Sequence, residues 1–154
     1  MRVPGREQSK TRAAARRLAV QALYQWQLGR QPAADLIAQF AATPEHSRVD
    51  PEYFRAALKA VCADHAGIDA EIARHSDIEP GRLDPVEHAI LALGVWELMA
   101  RPEIPYRVVI NEGIELAKRF GATDGFRYVN AVLDRASRAY RGAERGEAAS
   151  TGAS

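Results

Sequence analysis

The chain has 154 residues, 47% of them apolar and 27% charged, with a formal net charge of +1. Such values describe an ordinary soluble domain with a core of its own. Cys62 is the only cysteine, which excludes internal disulfides and CxxC metal sites. No uncharged run approaches the ~20 apolar residues of a membrane span, so a cytoplasmic protein is expected.

Charge is unevenly placed. Residues 1–30 hold seven basic side chains (Arg2, Arg6, Lys10, Arg12, Arg16, Arg17, Arg30) against Glu7 alone, while the remainder holds 14 basic and 19 acidic residues. A basic end on an acidic body points to a polyanionic partner. Residues 1–10, rich in Arg, Gly, Pro and Gln, read as a flexible basic N-terminus.

Residues 10–28, KTRAAARRLAVQALYQWQL, form the first predicted helix. Ala15, Leu18, Ala19, Ala22, Leu23 and Trp26 recur at i, i+3, i+4 and make the core stripe. Arg17, Val20, Gln21, Tyr24 and Leu28 stand opposite, with Arg12 and Arg16 at the boundary. Placed at a helix start, Arg12 and Arg16 oppose the dipole by ~0.3–1 kcal/mol each, a cost that a docked anion would reverse.

Gly29 ends this helix and Pro32 opens a second, carrying Leu36, Ile37 and Phe40. Residues 43–49 read as a loop. Asp50-Pro51-Glu52 is a start signal for a third helix, whose core set is Phe54, Ala57, Leu58, Val61 and Cys62. A short helix over residues 69–75 is anchored by Ile72.

Asp84-Pro85-Val86-Glu87 has capping-box spacing and opens a helix that is apolar on most sides. Pro105 opens the next, which closes at Lys118-Arg119-Phe120-Gly121. Thr123 or Asp124 caps the last helix, with Phe126, Val129, Leu133 and Ala136 inward, Asn130 among them, and Tyr128 outward beside Arg127. From residue 141 the composition reads as a disordered tail. The expectation is an all-α fold of about seven helices, with residues 11–140 as its domain.

The four histidines fall in no HExxH frame. Cys62/His65 and Glu71/His75 share helix faces, but two ligands do not make a site. There is no glycine-rich phosphate loop. Tyr128, outward in a first turn beside Arg127, is a candidate stacking platform for an unpaired base.

Five segments carry a resemblance: ARRLAVQALYQWQL, VDPEYFRAAL, VEHAILALGVWEL, IPYRVVINEGIELAKRFG and RYVNAVLD, in that order. The chain resembles the NusB family of bacterial transcription antitermination factors. The resemblance implies two packed helical sub-bundles, no catalysis, no cofactor and no metal. It implies binding to the single-stranded boxA element of ribosomal RNA transcripts as a heterodimer with ribosomal protein S10, within the transcription elongation complex. Carried over by position, RNA contacts fall on Arg12, Arg16 and Arg17 and on Asp124, Arg127 and Tyr128. The S10 surface includes Tyr24 and Glu87, with Val20 and Leu28 as neighbouring apolar groups. Ala13 and Ala14 stand where many relatives have arginine, which thins the basic run. Two other readings remain: a domain like the N-terminal part of ribosomal RNA cytosine methyltransferases, and a self-associating adaptor with Val20, Tyr24 and Leu28 as a homodimer face.

Overall fold

In a computed structural model describing residues 5–146, the described residues form seven α-helices and two short 3₁₀ turns, with no strand. They fall into two units, divided between His65 and Ala66.

The first unit holds α1 (Arg6–Gly29), α2 (Ala33–Ala41) and α3 (Pro51–Ala63), packed on one another, and a 3₁₀ turn, Pro44–Arg48, inside the expected loop. Nothing between Arg6 and Gly29 breaks the helical pattern. The Gly5 carbonyl accepts from Ser9 N–H at 3.0 Å, and Glu7 complements the dipole in the first turn. The helix therefore starts well before residue 10, which corrects the expectation for residues 6–10; residues 1–4 lie outside the described residues. Asp50 Oδ1 caps α3 by accepting from Tyr53 N–H at 3.1 Å, and Asp50 N–H donates to Thr11 O at 3.0 Å.

The second unit is built on α5 (Pro85–Ala100), α6 (Tyr106–Phe120) and α7 (Gly125–Tyr140), which pack pairwise. From Ala89 to Leu98 α5 is buried at every position. Gly94 of α5 and Gly113 of α6 both face Leu133 of α7, which is fully buried. An added Cβ would come within 2.8 Å of Leu133 Cδ2 from position 94 and 2.7 Å of its Cδ1 from position 113. α4 (His65–His75) runs through Gly67 and joins this bundle by polar ties: His88 Nε2 to Asp69 Oδ1 at 2.6 Å, Tyr140 Oη to Glu71, and Arg135 Nη1 to the His75 carbonyl at 3.0 Å.

Residues 141–146 do not form the disordered tail expected of them. Arg141 is 6% exposed, and its guanidinium donates to the carbonyls of Glu97, Leu98, Arg101 and Ile104 and to Glu144 Oε1. These carbonyls lie at the end of α5 and in the turn after it, and those of Glu97 and Arg101 also accept from the Arg101 and Ile104 N–H groups. Glu144 Oε2 accepts from Tyr106 N–H at 2.8 Å, satisfying the start of α6, where Pro105 offers no side-chain cap. The polar composition hid this because the partners are backbone atoms. Residues 147–154 lie outside the described residues.

Candidate nucleic-acid interface

At 100° per residue the buried residues of α1 span about 200°, twice the arc of a minimal amphipathic stripe. Arg16 and Val20 occupy the edge of that arc and are 4% and 2% exposed. Arg16 lies over the Tyr53 ring at 5.3 Å. Arg12 sits 3.6 Å from Asp50 Oδ2 through its Nε, with its side chain 13% exposed. Both lie beyond the first turn of a helix beginning at Arg6, so the dipole no longer marks them as misplaced cations.

What remains on the outside is a different line. Arg6, Lys10, Arg17, Tyr24 and Leu28 fall within about 40° of one another. Arg6, Lys10, Tyr24 and Leu28 are exposed, Arg17 is half-exposed, and Leu28 reaches 72%. A cationic stretch thus continues into an aromatic and aliphatic one. Val20, expected in this line, is instead in the core and cannot face a partner. Arg6 was missed with the helix start, and Lys10, though inside the predicted helix, was not singled out; the unbroken helical pattern from Arg6 onward was the available signal.

The second cluster surrounds the α6–α7 connection. Asp124 holds the N-cap position of α7 with φ 66, a left-handed conformation that non-glycine residues seldom adopt, and makes no side-chain cap. Its carboxylate instead pairs with Arg127 at 3.5 Å, both side chains well exposed. Tyr128 is half-buried and its hydroxyl hydrogen-bonds Ser76 Oγ, which in turn binds the Ile78 backbone. Phe126 is likewise half-buried rather than fully in the core, with Lys118 Nζ 5.0 Å and Arg127 Cζ 5.5 Å from its ring centroid. Asn130, expected inward, is exposed.

Glu87 supports this loop from beneath. Asp84 Oδ1 caps α5, accepting from Val86 N–H at 2.8 Å, but the Glu87 carboxylate accepts from Ala122 N–H rather than completing a capping box. Glu87 is 9% exposed, and an added Cβ at Gly125 would collide with its Oε2. Its expected place on a partner surface is corrected accordingly: the carboxylate is committed to the loop. Burial first, then Asp84, raises the Glu87 pKa above the usual glutamate range, with the Ala122 N–H pulling it back. A raised carboxyl pKa means the folded state holds its proton longer. Stability conferred by the neutral form is present at low pH and falls as pH rises through the raised value. Glu87→Gln should therefore gain stability relative to the parent as pH increases from 4 to 7, measured as the difference in Tm between the two proteins. A difference independent of pH would contradict this.

Among the described residues no three His, Cys, Asp or Glu side chains gather as metal ligands. His65 packs against Trp26, and Glu71 receives the Tyr140 hydroxyl. Burial pushes the Cys62 thiol up to about 11, with Arg30 lowering it in part, so it stays protonated at neutral pH. A cleft of about 510 Å³ beside Cys62 includes Arg30 and Lys59 in its wall. These cations stand near the carboxyl ends of α1 and α3, where the dipole favours them without a ligand. No described helix is long and apolar enough to cross a membrane.

The NusB family model matches residues 13–138. A transcription antitermination protein NusB of Alcanivorax borkumensis is 49% identical over 136 residues, covering 88% of this chain and 91% of that one. The same-named protein of Marinobacter nauticus is 44% identical, covering 91% and 89%. Among solved structures, NusB of T. maritima superposes with a TM-score of 0.76 at 28% identity, covering 89% of this chain and 99% of that one. A crystal structure of the antitermination factors NusB and NusE in complex with dsRNA gives 0.72 at 26%, covering 83% and 96%.

Proposed function

The chain belongs to the NusB family of transcription antitermination proteins, and from that premise we propose that it binds the single-stranded boxA element of ribosomal RNA transcripts together with ribosomal protein S10. It acts in the cytoplasm as a non-enzymatic adaptor to the transcription elongation complex, with no cofactor or metal. The observation carrying this reading is the line on α1, where Arg6, Lys10 and Arg17 present charge to phosphates and Tyr24 and Leu28 continue it as an apolar surface for the protein partner. Asp124, Arg127 and Tyr128 provide the second RNA contact. The solved complex of NusB and NusE with dsRNA supports a family surface that takes a protein and an RNA ligand together.

Arg12 and Arg16 enter this function differently from Arg17. Held by Asp50 and Tyr53, they shape α1, whereas Arg17 reaches solvent. Three to four phosphate contacts to a single strand give a slope of log K against log salt of roughly −2 to −3. Arg17→Glu should weaken RNA binding by about tenfold or more while leaving Tm within ~2 °C, since one charge is reversed at a site that reaches solvent. Arg16→Ala should instead lower Tm. The decisive titration compares a boxA-like strand with a scrambled one, with and without S10; equal affinities in all four arms would refute the assignment.

Tyr24 at 41% and Leu28 at 72% exposure also suit a homodimer. Sedimentation of the protein alone and with S10 separates the two: a homodimer that S10 does not dissociate would place self-association on that face.

A further inference from the structure

We propose that Phe126 is a base-stacking residue of the RNA site, an assignment that rests on the RNA-binding reading above. Its i, i+3, i+7 spacing with Val129 and Leu133 marks it as core, yet the residue is only half-buried while those two are fully buried. Lys118 and Arg127 bracket the ring at 5.0 and 5.5 Å, and Arg119 lies 5.6 Å from the neighbouring Phe120 ring. Arg127 stands in the first turn of α7, the positive end of its dipole, and Asp124 supplies no side-chain cap there. A local excess of positive charge around a partly accessible ring suits a nucleotide, which offers a flat base and a phosphate together. An exposed cation–π contact is worth only a two- to fivefold preference, whereas a stacked base is worth about 5- to 150-fold. A base therefore displaces a cation from the ring, and the freed cation meets the adjoining phosphate. Tyr128 is less free to adapt, because its hydroxyl is tied to Ser76; Phe126 has no polar atom to tether.

The test uses the full chain with S10 and a boxA-like strand carrying 2-aminopurine at successive positions. Phe126→Leu should weaken binding about 5- to 20-fold and abolish stacking quench at one position, with the salt slope unchanged. Phe126→Tyr should retain both affinity and quench, which separates loss of the ring from loss of folding. Lys118→Gln should instead reduce the salt slope by about 1. Parent-like affinity and quench in Phe126→Leu, while the parent binds RNA, would overturn the stacking role alone. Failure of the parent to bind any strand would remove the RNA reading and this role with it.

Discussion

Replacing Arg141 by alanine should cost about 4 kcal/mol of unfolding free energy and lower Tm by roughly 8–16 °C. All five N–H donors of its guanidinium have acceptors: four backbone carbonyls between Glu97 and Ile104 and the Glu144 carboxylate at 2.6 Å. Removing the side chain takes the guanidinium from all four carbonyls, of which those of Glu97 and Arg101 keep a backbone N–H donor, and leaves Glu144 without this charge partner. Desolvated polar groups cost ~1–3 kcal/mol each, and water entering from the surface recovers part of that. Arg141→Lys should fall between the parent and the alanine variant, because an ammonium cannot span donors in a fixed planar fork. Urea unfolding followed by far-UV circular dichroism measures all three. An alanine variant within ~1 kcal/mol of the parent would show that the tail is dispensable.

At Gly94 and Gly113 the effect of an added methyl should change sign with its neighbour. Leu133 fills the space that both glycines leave, so Leu133→Ala should cost ~3–5 kcal/mol through lost burial and the cavity behind it. In the parent, Gly113→Ala pushes a Cβ to 2.7 Å from Leu133 Cδ1, and overpacking of ~1–3 kcal/mol outweighs the ~1 kcal/mol gained in helix propensity. In the Leu133→Ala background that conflict is gone, and Gly113→Ala should stabilise by ~1 kcal/mol or more. Chemical unfolding of the four proteins closes the cycle. Additive changes would mean that Leu133 moves aside without strain.

The helical frame was legible because its signals are local. Asp50-Pro51 and Asp84-Pro85 begin helices where expected, and Gly29 and Gly121 lie at helix ends. The side of each helix facing outward was less legible. α1 is enclosed over an arc too wide for a single amphipathic stripe, so Val20, placed outside by periodicity, and Arg16, placed at the boundary, are both inside. Arg12 and Glu87 were identifiable as polar residues of interest, but their partners, Asp50 and the Ala122 N–H, are distant in sequence. Arg141 was illegible for the same reason, since the carbonyls it serves belong to any sequence. Phe126 misled in the opposite direction: helical spacing joined it to the core, although it stands at the first turn of α7, where the bundle covers it only in part.

Asp50 divides one carboxylate between two dependents, Oδ1 for the Tyr53 N–H and Oδ2 for Arg12. An asparagine there would keep the acceptor that starts α3 and surrender the negative charge that restrains the guanidinium. Such a variant would turn a tethered cation into a searching one without unwinding the helix beneath it. The number of arginines able to greet a polyanion is in this sense set from α3, by a residue that need never meet the ligand.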